Sequence, residues 1–244
     1  VGVSAGRRPL LAGESEDTSQ LSREHAVARP QPGLISIAGG KFTTYRVMAA
    51  DAVDAAAGDL AWTAGRGALT PSVTEHVPLV GADGYAAMHN LIPALGRQTG
   101  LAPWRVEHLL GRYGTLLTEV LALADDDPSL LEPVPHAQEY LKAELRYGAT
   151  HEAALHLDDL LARRTRMSIE TPDRGIDSAT LAAELVRDVL EWDDATVAHE
   201  VEAYRARVDA ERRSQQLADD AASDAARREA PEVRPGLRSV TATR

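Results

Sequence analysis

Apolar positions along this chain follow two different spacings, and these divide it into a mixed N-terminal part and a helical remainder. Short apolar runs at residues 21–29 and 34–38 predict two strands on either side of a turn, Pro30-Gln31-Pro32-Gly33. Residues 43–57 predict a helix, because apolar residues recur there at helical spacing and indicate a core-facing side: Val47, Ala50, Val53 and Ala57. Residues 58–74 are rich in glycine and lack periodicity, and we expect them to form a linker.

After residue 84 the spacing becomes helical almost throughout. Apolar stripes predict helices over 85–98, 103–124, 153–164, 176–192 and 196–218, while residues 136–147 fit either a helix or a strand. Asp177 or Ser178 is expected to cap the fourth of these helices. The predicted fold class is therefore mainly α: a helical domain over 67–220, preceded by a short α/β segment over 1–66. A disordered tail is expected over 221–244, where Ala, Asp and Arg dominate before Pro and Gly appear.

Composition narrows the class of function. The net charge is −11 and the isoelectric point about 5.2, which disfavours nucleic acid as the main partner and a broad electrostatic grip on anionic lipid. The chain has no cysteine, so disulfides and thiolate chemistry are excluded, and its eight histidines show no metal-ligand spacing. We therefore predict no metal site. No apolar run reaches the 18 residues that suggest a membrane-spanning helix.

The stretch Gly39-Gly40-Lys41-Phe42-Thr43-Thr44-Tyr45-Arg46 is the strongest candidate site. It joins a predicted strand to a predicted helix, so it brings backbone N–H groups, a lysine and two hydroxyls to one helix N-terminus. Such a terminus attracts anions, because its first N–H groups lack intrahelical partners and the helix dipole is positive there. The adjacent glycines permit close approach of a ligand to the backbone. The same pattern is also typical of a strand–helix connection formed for packing alone.

Two arginine-rich stretches are weaker candidates. Arg7-Arg8-Pro9-Leu10 could contact a carboxylate or phosphate, although an Arg-Pro pair in a loop is more often a solvated turn. Arg163-Arg164-Thr165-Arg166 follows a predicted helix and could bind an external anion. We favour a structural role for it, in which the arginines complement the helix dipole and pair with Asp158 or Asp159.

Taken in order, these stretches resemble one enzyme family. Arg8-Pro9-Leu10, Leu21-Ser22-Arg23-Glu24-His25, the 33–46 run and the 157–169 segment (LDDLLARRTRMSI) are similar to the C-terminal portion of FAD-dependent, respiratory glycerol-3-phosphate dehydrogenases of actinobacterial type. The resemblance extends over about residues 6–220. Its most specific parts are the GGKxTTYR and LARRTR segments.

The resemblance implies a reaction and a set of site residues. The whole enzyme would oxidise sn-glycerol 3-phosphate to dihydroxyacetone phosphate, with FAD taking the hydride and quinone taking the electrons. Arg8 and Lys41 would be catalytic, with Arg7 the other candidate for the arginine's role. Residues that would contact the flavin are Gly39, Gly40, Lys41, Thr43 and Thr44. The α/β segment 1–66 would be the end of an FAD-binding domain whose nucleotide-binding half is not in this chain, so we expect this chain alone to be inactive.

The resemblance also implies partners and a location. We expect a cytoplasmic protein, or one held peripherally on the inner face of the cell membrane, with a homodimer as one form of assembly. Two alternatives stay open. The helical part could be an interaction or membrane-docking module, because residues 196–218 carry Arg205, Arg207, Arg212 and Arg213 among acidic neighbours. The chain could also belong to an FAD-dependent oxidoreductase that acts on an amine or a hydroxy acid.

Overall fold

A computed structural model describes residues 24–64, 70, 72–231 and 233. The contacts between residues divide the described part into two compact units, one over 24–83 and one from residue 84 onward. The first is a small α/β unit and the second is helical, so the predicted fold class of a helical domain preceded by a short α/β segment is confirmed. The boundary predicted at residues 66–67 stays a prediction.

In the α/β unit, a β-hairpin is followed by one long helix. The elements are β1 (His25–Gln31), β2 (Leu34–Gly39), a 3-10 turn (Phe42–Thr44), α1 (Tyr45–Ala64) and a second 3-10 turn (Thr74–His76). The strands pair antiparallel, with Gln31 opposite Leu34 and an irregularity in register after Ala28. The two residues between the strands are Pro32 and Gly33, and Gly33 has a φ of 79°. This is the sequence and conformation of a type II turn, as the Pro-Gly pattern predicts.

Helix α1 differs from the prediction in its length and in its buried side. It continues through residues 58–64, which were expected to form a linker. A glycine inside a helix, here Gly58, costs only about 1 kcal/mol relative to alanine. The next residue, Asp59, is paired with Arg29 of β1 at 3.0 Å. The predicted core positions Val47 and Val53 are instead 57% and 63% exposed.

The side of α1 that contacts the hairpin carries Met48 and two aspartates rather than the predicted valines. Asp51 lies 2.6 Å from His25 of β1, and Met48 packs so closely under Gly40 that a Cβ there would collide with its sulfur. Arg29 donates both to Asp59 and to the carbonyl of Ala55, the latter at 3.3 Å. Two polar links two helical turns apart therefore attach α1 to the hairpin, which the apolar spacing could not indicate.

The helical unit consists of short helices around one small hairpin. They are α2 (Tyr85–Asn90), α3 (Ile92–Thr99), α4 (Pro103–Tyr113), α5 (Leu117–Ala122), β3 (Pro133–Val134), β4 (Ala137–Leu141), α6 (Lys142–Thr150), a π-helical turn (Asp159–Arg164), α7 (Met167–Glu170), α8 (Ala179–Val186), α9 (Asp194–Ser214) and α10 (Asp220–Arg228). Short 3-10 turns lie at Gly114–Leu116 and Pro128–Leu131. Of the helices that the structure describes, none has the length and apolar content to cross a membrane.

Several predicted helices are interrupted or shifted, each for a local reason. The 85–98 stretch breaks at Leu91 because Pro93, in the first turn of α3, has no N–H to continue the ladder. The 103–124 stretch breaks at Gly114, whose backbone has φ 60° and ψ −140°. The ambiguous stretch 136–147 contains both states, since β4 runs directly into α6.

The helix ends also differ in detail from the prediction. Ser178 precedes α8 but does not cap it, because its hydroxyl donates to the carbonyl of Pro135 at 2.7 Å. Asp193 is the side chain that caps α9, accepting the N–H of Thr196 at 2.7 Å. Asp219 caps α10 in the same way, so a helix occupies the beginning of the stretch expected to be a disordered tail.

Two apolar clusters form the core of the helical unit. The first gathers residues of α4, α5 and α6, including Val106, Leu109, Leu117, Val120 and Ala143. The second gathers β4, the π-helical turn, α8 and α9, including Leu157, Leu160, Leu161, Val186 and Tyr204. The apolar stripes of the predicted helices over 103–124, 153–164 and 196–218 are largely buried, as at Leu110, Leu160 and Val208. Each fully buried leucine contributes about 1.5–3 kcal/mol, which favours this arrangement over isolated short helices.

Candidate functional site

The structure places the predicted glycine–lysine turn directly between β2 and α1. Gly39 and Gly40 have φ values of 80° and 77°, in the left-handed region that only glycine adopts without strain. Lys41 returns to an extended conformation and precedes the 3-10 turn that leads into α1. The predicted strand–turn–helix geometry is therefore present, although the α-helix itself begins at Tyr45 rather than at residue 43.

Thr44 is engaged in shaping the turn. Its hydroxyl donates to the carbonyl of Lys41 at 3.0 Å and accepts the N–H of Lys41 at 3.3 Å. The backbone N–H of Thr44 donates to the same carbonyl at 3.0 Å. Thr44 therefore hydrogen-bonds both the N–H and the carbonyl of Lys41, and these bonds fix the backbone of Lys41 in the turn.

Lys41, Thr43 and Thr44 are all exposed polar residues of the turn. In the part of the chain that the structure describes, the Lys41 ammonium has no ion pair. The chain contains 26 lysines and arginines, of which only Lys41 and Lys142 are lysines. Lys142 is paired with Glu132 at 2.7 Å. Lysine carries a compact charge, whereas the charge of arginine is spread over a planar fork. Of the two lysines, the one without an ion pair to a described residue lies in the candidate site.

Arg46, the last residue of the motif, connects the turn to a later segment. One terminal nitrogen of its guanidinium donates to the carbonyl of Thr74, and the other donates to the carbonyl of Val77 at 2.9 Å. Sequence analysis included Arg46 in the motif but assigned it no role. Its acceptors are main-chain atoms 28 and 31 residues away, so side-chain chemistry in the sequence gave no signal for them.

One predicted site residue is not among the described residues. Arg8, with Arg7 beside it, falls outside the described residues, so its catalytic role stays a prediction. The structure accordingly brings together five of the predicted site residues in one turn: Gly39, Gly40, Lys41, Thr43 and Thr44.

The second arginine stretch has a structural role, as favoured above. Arg163 pairs with Asp158 and, at 3.1 Å, with Asp159. Arg164 donates to the carbonyl of Glu152 at 2.7 Å, and the buried Thr165 hydroxyl donates to the carbonyl of Leu160 at 2.7 Å. These contacts close the π-helical turn and leave its arginine charges engaged within the protein.

A buried polar network lies against this turn. The carboxylate of Glu144 is fully buried and receives the Tyr113 hydroxyl at 3.2 Å and the Leu141 N–H at 2.9 Å. His108 lies 3.2 Å and Arg112 3.5 Å from the same carboxylate. Arg112 also donates to the carbonyl of Arg164 at 2.6 Å. The network therefore joins α4, α6 and the π-helical turn.

Tyrosines near this network are held in the protonated state. Burial, followed by the charge of Glu144, raises the pKa of Tyr113 above its ordinary value. Burial and a hydrogen bond to Glu170 raise the pKa of Tyr140. Burial and a hydrogen bond to Glu119 raise the pKa of Tyr147 to about 12. These groups are hydrogen-bond donors near neutral pH and have no value as general bases there.

Most arginines of α9 that suggested a docking surface have partners inside the helical unit. Arg207 pairs with Asp158 and with Glu211, the latter at 3.2 Å. Arg212 donates to the carbonyl of Asp173 at 3.1 Å, and Arg213 lies 3.4 Å from Glu229. The interaction and membrane-docking alternative stays a prediction, with less charge available to it than the sequence suggests.

Comparison with known proteins adds a family match to this geometry. Residues 72–197, more than half of the chain, match the model of the C-terminal domain of alpha-glycerophosphate oxidase. The chain is 57% identical over 233 residues to a Mycobacterium tuberculosis protein named "Glycerol-3-phosphate dehydrogenase 2" and 55% identical over 233 residues to the Mycobacterium leprae "Glycerol-3-phosphate dehydrogenase". These alignments cover 96% of this chain but 39% of each relative.

A more distant relative is similar over a comparable stretch. The Arabidopsis thaliana protein named "Glycerol-3-phosphate dehydrogenase SDP6, mitochondrial" is 29% identical over 214 residues, which is 81% of this chain and 33% of that protein. The chain therefore spans about two fifths of the length of its mycobacterial relatives, and about a third of the plant relative.

Proposed function

Because the chain belongs to the family that carries the C-terminal domain of alpha-glycerophosphate oxidase, we propose that it is part of an FAD-dependent glycerol-3-phosphate dehydrogenase. The intact enzyme would oxidise sn-glycerol 3-phosphate to dihydroxyacetone phosphate and pass the electrons to quinone. The observation that carries this proposal is the 57% identity to a protein of that name over 96% of the chain.

The donor set of the turn fits a flavin. The exposed ammonium of Lys41, the exposed hydroxyl of Thr43 and the N-terminal end of α1 all favour negative charge. When bound, FAD would accept the hydride that leaves the C2 carbon of the substrate, and electron density would accumulate on its ring system. Lys41 is proposed to stabilise that charge, and Gly39 and Gly40 to let the backbone approach the ring.

Thr44 is given a different part in this proposal. Its hydroxyl is engaged with Lys41, so it would act by fixing the turn while Thr43 supplies the outward hydroxyl. Arg8 would bind the substrate, as the resemblance implies. Peripheral membrane contact, a homodimer and a cytoplasmic location or one at the inner face of the membrane belong to the same proposal.

The first experiment compares two proteins. One is the 244-residue chain; the other is a chimera that adds the part of the M. tuberculosis relative that this chain does not match. We expect only the chimera to bind FAD, and we expect sn-glycerol 3-phosphate to bleach its flavin absorbance under anaerobic conditions. FAD binding by the 244-residue chain alone would contradict the proposal that the part of the relative outside the match is needed to bind FAD. Bleaching by an amine or hydroxy acid instead would contradict the substrate.

The second experiment tests Lys41. In the chimera, Lys41→Ala is expected to slow flavin reduction by substrate at least about tenfold, the low end for losing one electrostatic contact to developing charge. Lys142→Ala is the matched control, because it removes the other lysine, whose partner is Glu132 in the helical unit. Equal reduction rates in the two variants would remove Lys41 from the mechanism.

A further inference from the structure

Arg46 lies in the first turn of α1, and its guanidinium contacts the backbone of another segment of the same unit. We propose that Arg46 is a positioning residue for the flavin site: it holds the N-terminal end of α1, and with it the Lys41 turn, in place. This inference rests on the proposed function. It assigns a role to the one charged residue of the motif that has no direct part in that proposal.

The contact consists of two hydrogen bonds from one guanidinium to two backbone carbonyls, and we call it the Arg46 clamp. The two terminal nitrogens of Arg46 donate to the carbonyls of Thr74 and Val77, which are the first residue of the second 3-10 turn and the residue that follows its last. The remaining guanidinium nitrogen, Nε, lies 3.3 Å from the hydroxyl of Tyr45. A planar fork suits two neighbouring acceptors better than the point charge of a lysine.

The position of this clamp connects it to the candidate site. The 3-10 turn Phe42–Thr44 passes without interruption into α1 at Tyr45, so any tilt of the first helical turn moves Lys41. Met48 under Gly40, and Asp51 beside His25, fix the next turns of α1 against the hairpin. Arg46 supplies the corresponding contact to the 74–77 segment. A displacement of about 1 Å in a catalytic group can cost about a hundredfold in rate.

The chain offers a matched control in Arg29. This arginine also binds α1, through the carboxylate of Asp59 and the carbonyl of Ala55, but in the part of the helix remote from the turn. Its side chain and that of Arg46 both donate to main-chain carbonyls. Removing either should therefore loosen the α/β unit, whereas only the loss of Arg46 should disturb the Lys41 turn.

The experiment uses the chimera described above with Arg46→Met, Arg46→Lys and Arg29→Met. The measurements are the FAD dissociation constant from flavin fluorescence, the flavin absorption spectrum, and the rate of flavin reduction by sn-glycerol 3-phosphate. We expect Arg46→Met to weaken FAD binding and slow reduction by at least about tenfold. Arg46→Lys should recover part of both losses. Arg29→Met should change each by less than about twofold, which is under about 0.5 kcal/mol.

The outcomes distinguish the positioning role of Arg46 from the proposed function of the whole enzyme. Equal effects of Arg46→Met and Arg29→Met, or no effect of Arg46→Met, would overturn the positioning role. If Arg46→Met does not fold, Arg46→Lys decides: FAD binding and reduction indistinguishable from those of the unmodified chimera would overturn it. If the unmodified chimera binds FAD but ignores sn-glycerol 3-phosphate, the proposed function fails, while the FAD dissociation constants still test Arg46.

Discussion

Glu144 has a fully buried carboxylate whose partners come from helix α4 and from the backbone just before α6. Tyr113 and His108 reach it from α4, and the N–H of Leu141 reaches it from the residue before α6. Burial of a carboxylate is costly unless hydrogen bonds replace the lost water. Individual donors to Glu144 should therefore be worth more than similar hydrogen bonds to exposed carboxylates.

Tyr113→Phe tests this expectation. The substitution keeps the ring but removes a donor to the buried carboxylate, so we expect the free energy of unfolding to fall by about 1.5–3 kcal/mol. Tyr147→Phe is the control, because the hydroxyl of Tyr147 donates to Glu119, an exposed residue that can regain water. Urea unfolding at pH 7 measures both. A cost for Tyr147→Phe equal to that of Tyr113→Phe would contradict the argument.

Glu152 gives a prediction on pH. Burial raises the pKa of its carboxyl above the ordinary 4.5, against the lowering effect of Arg164 and Arg112. The folded state therefore keeps this proton to higher pH than the unfolded state, and folding loses stability as the pH rises from 4.5 through the raised pKa. In the Glu152→Gln variant the side chain is an amide, which does not ionise over this pH range. We expect the variant to gain stability relative to the original chain as the pH rises from 4.5 to 7.

Unfolding midpoints at a series of pH values measure this effect. The difference between the two proteins should be smallest near pH 4.5 and should grow toward pH 7. A difference that is constant over this range, or one that shrinks as the pH rises, would show that ionisation of Glu152 is not penalised in the folded state.

At the scale of elements, the glycine of the hairpin turn and a glycine between β2 and α1 have similar backbones but different surroundings. Gly33 and Gly40 both have left-handed backbones, but of these two only Gly40 has a neighbour where a Cβ would lie, the sulfur of Met48. Gly33→Ala should thus cost only the backbone strain of about 1–2 kcal/mol. Gly40→Ala should cost the same strain and also displace the Met48 thioether, which loosens the packing of α1 on the hairpin.

Hydrogen exchange of the α1 amides in the 244-residue chain distinguishes these substitutions. We expect Gly40→Ala to accelerate exchange over residues 45–64 several-fold more than Gly33→Ala does, because helix α1 loses its packing against the hairpin. Adding Met48→Ala should restore part of the protection in Gly40→Ala by making room for the new methyl group. Equal acceleration by the two alanines would argue against the Met48 contact.

The elements themselves could largely be predicted, but not their breaks or their partners. Apolar spacing indicates the helices correctly because burial of one face is a repeated local signal. The apolar stripe continues through Leu91 and Gly114, so it hides the breaks there. In α1 the predicted core face includes Val47 and Val53, because valine is apolar and recurs there at helical spacing. The structure instead turns Met48, Asp51 and Asp59 toward the hairpin.

In the candidate site, too, the sequence predicts the local turn but not its long-range contacts. The glycine–lysine turn could be found because a strand, two glycines and a helix are encoded by consecutive residues. The clamp by Arg46 could not, since its acceptors are carbonyls that every residue carries. The single unpaired lysine of the described chain was visible in composition, as a lysine among arginines, but its significance depended on knowing that Lys142 is paired.

The whole molecule concentrates its core in one unit. Buried apolar residues of the described chain run from Ile92 to Ala226, and all of them lie in the helical unit. The α/β unit has several large apolar side chains exposed, among them Phe42 at 88% and Leu60 at 66%. We therefore predict that residues 84–233 fold cooperatively on their own.

Thermal unfolding of the 84–233 segment and of the 244-residue chain tests this prediction. The main transition of the two proteins should agree within about 3 °C, which corresponds to about 1 kcal/mol for a domain of this size. Loss of cooperativity in the shorter protein would mean that the α/β unit contributes to the stability of the helical core.

Several tertiary links in this protein share one arrangement: an arginine that donates to a main-chain carbonyl. Arg29, Arg46, Arg146 and Arg164 all do so. Since the acceptor belongs to the backbone, its residue can be replaced without losing the bond, while the arginine cannot. During sequence divergence such a link constrains one position only. Methods that infer contacts from paired substitutions should therefore overlook these links, and each arginine should be recognisable by its own invariance.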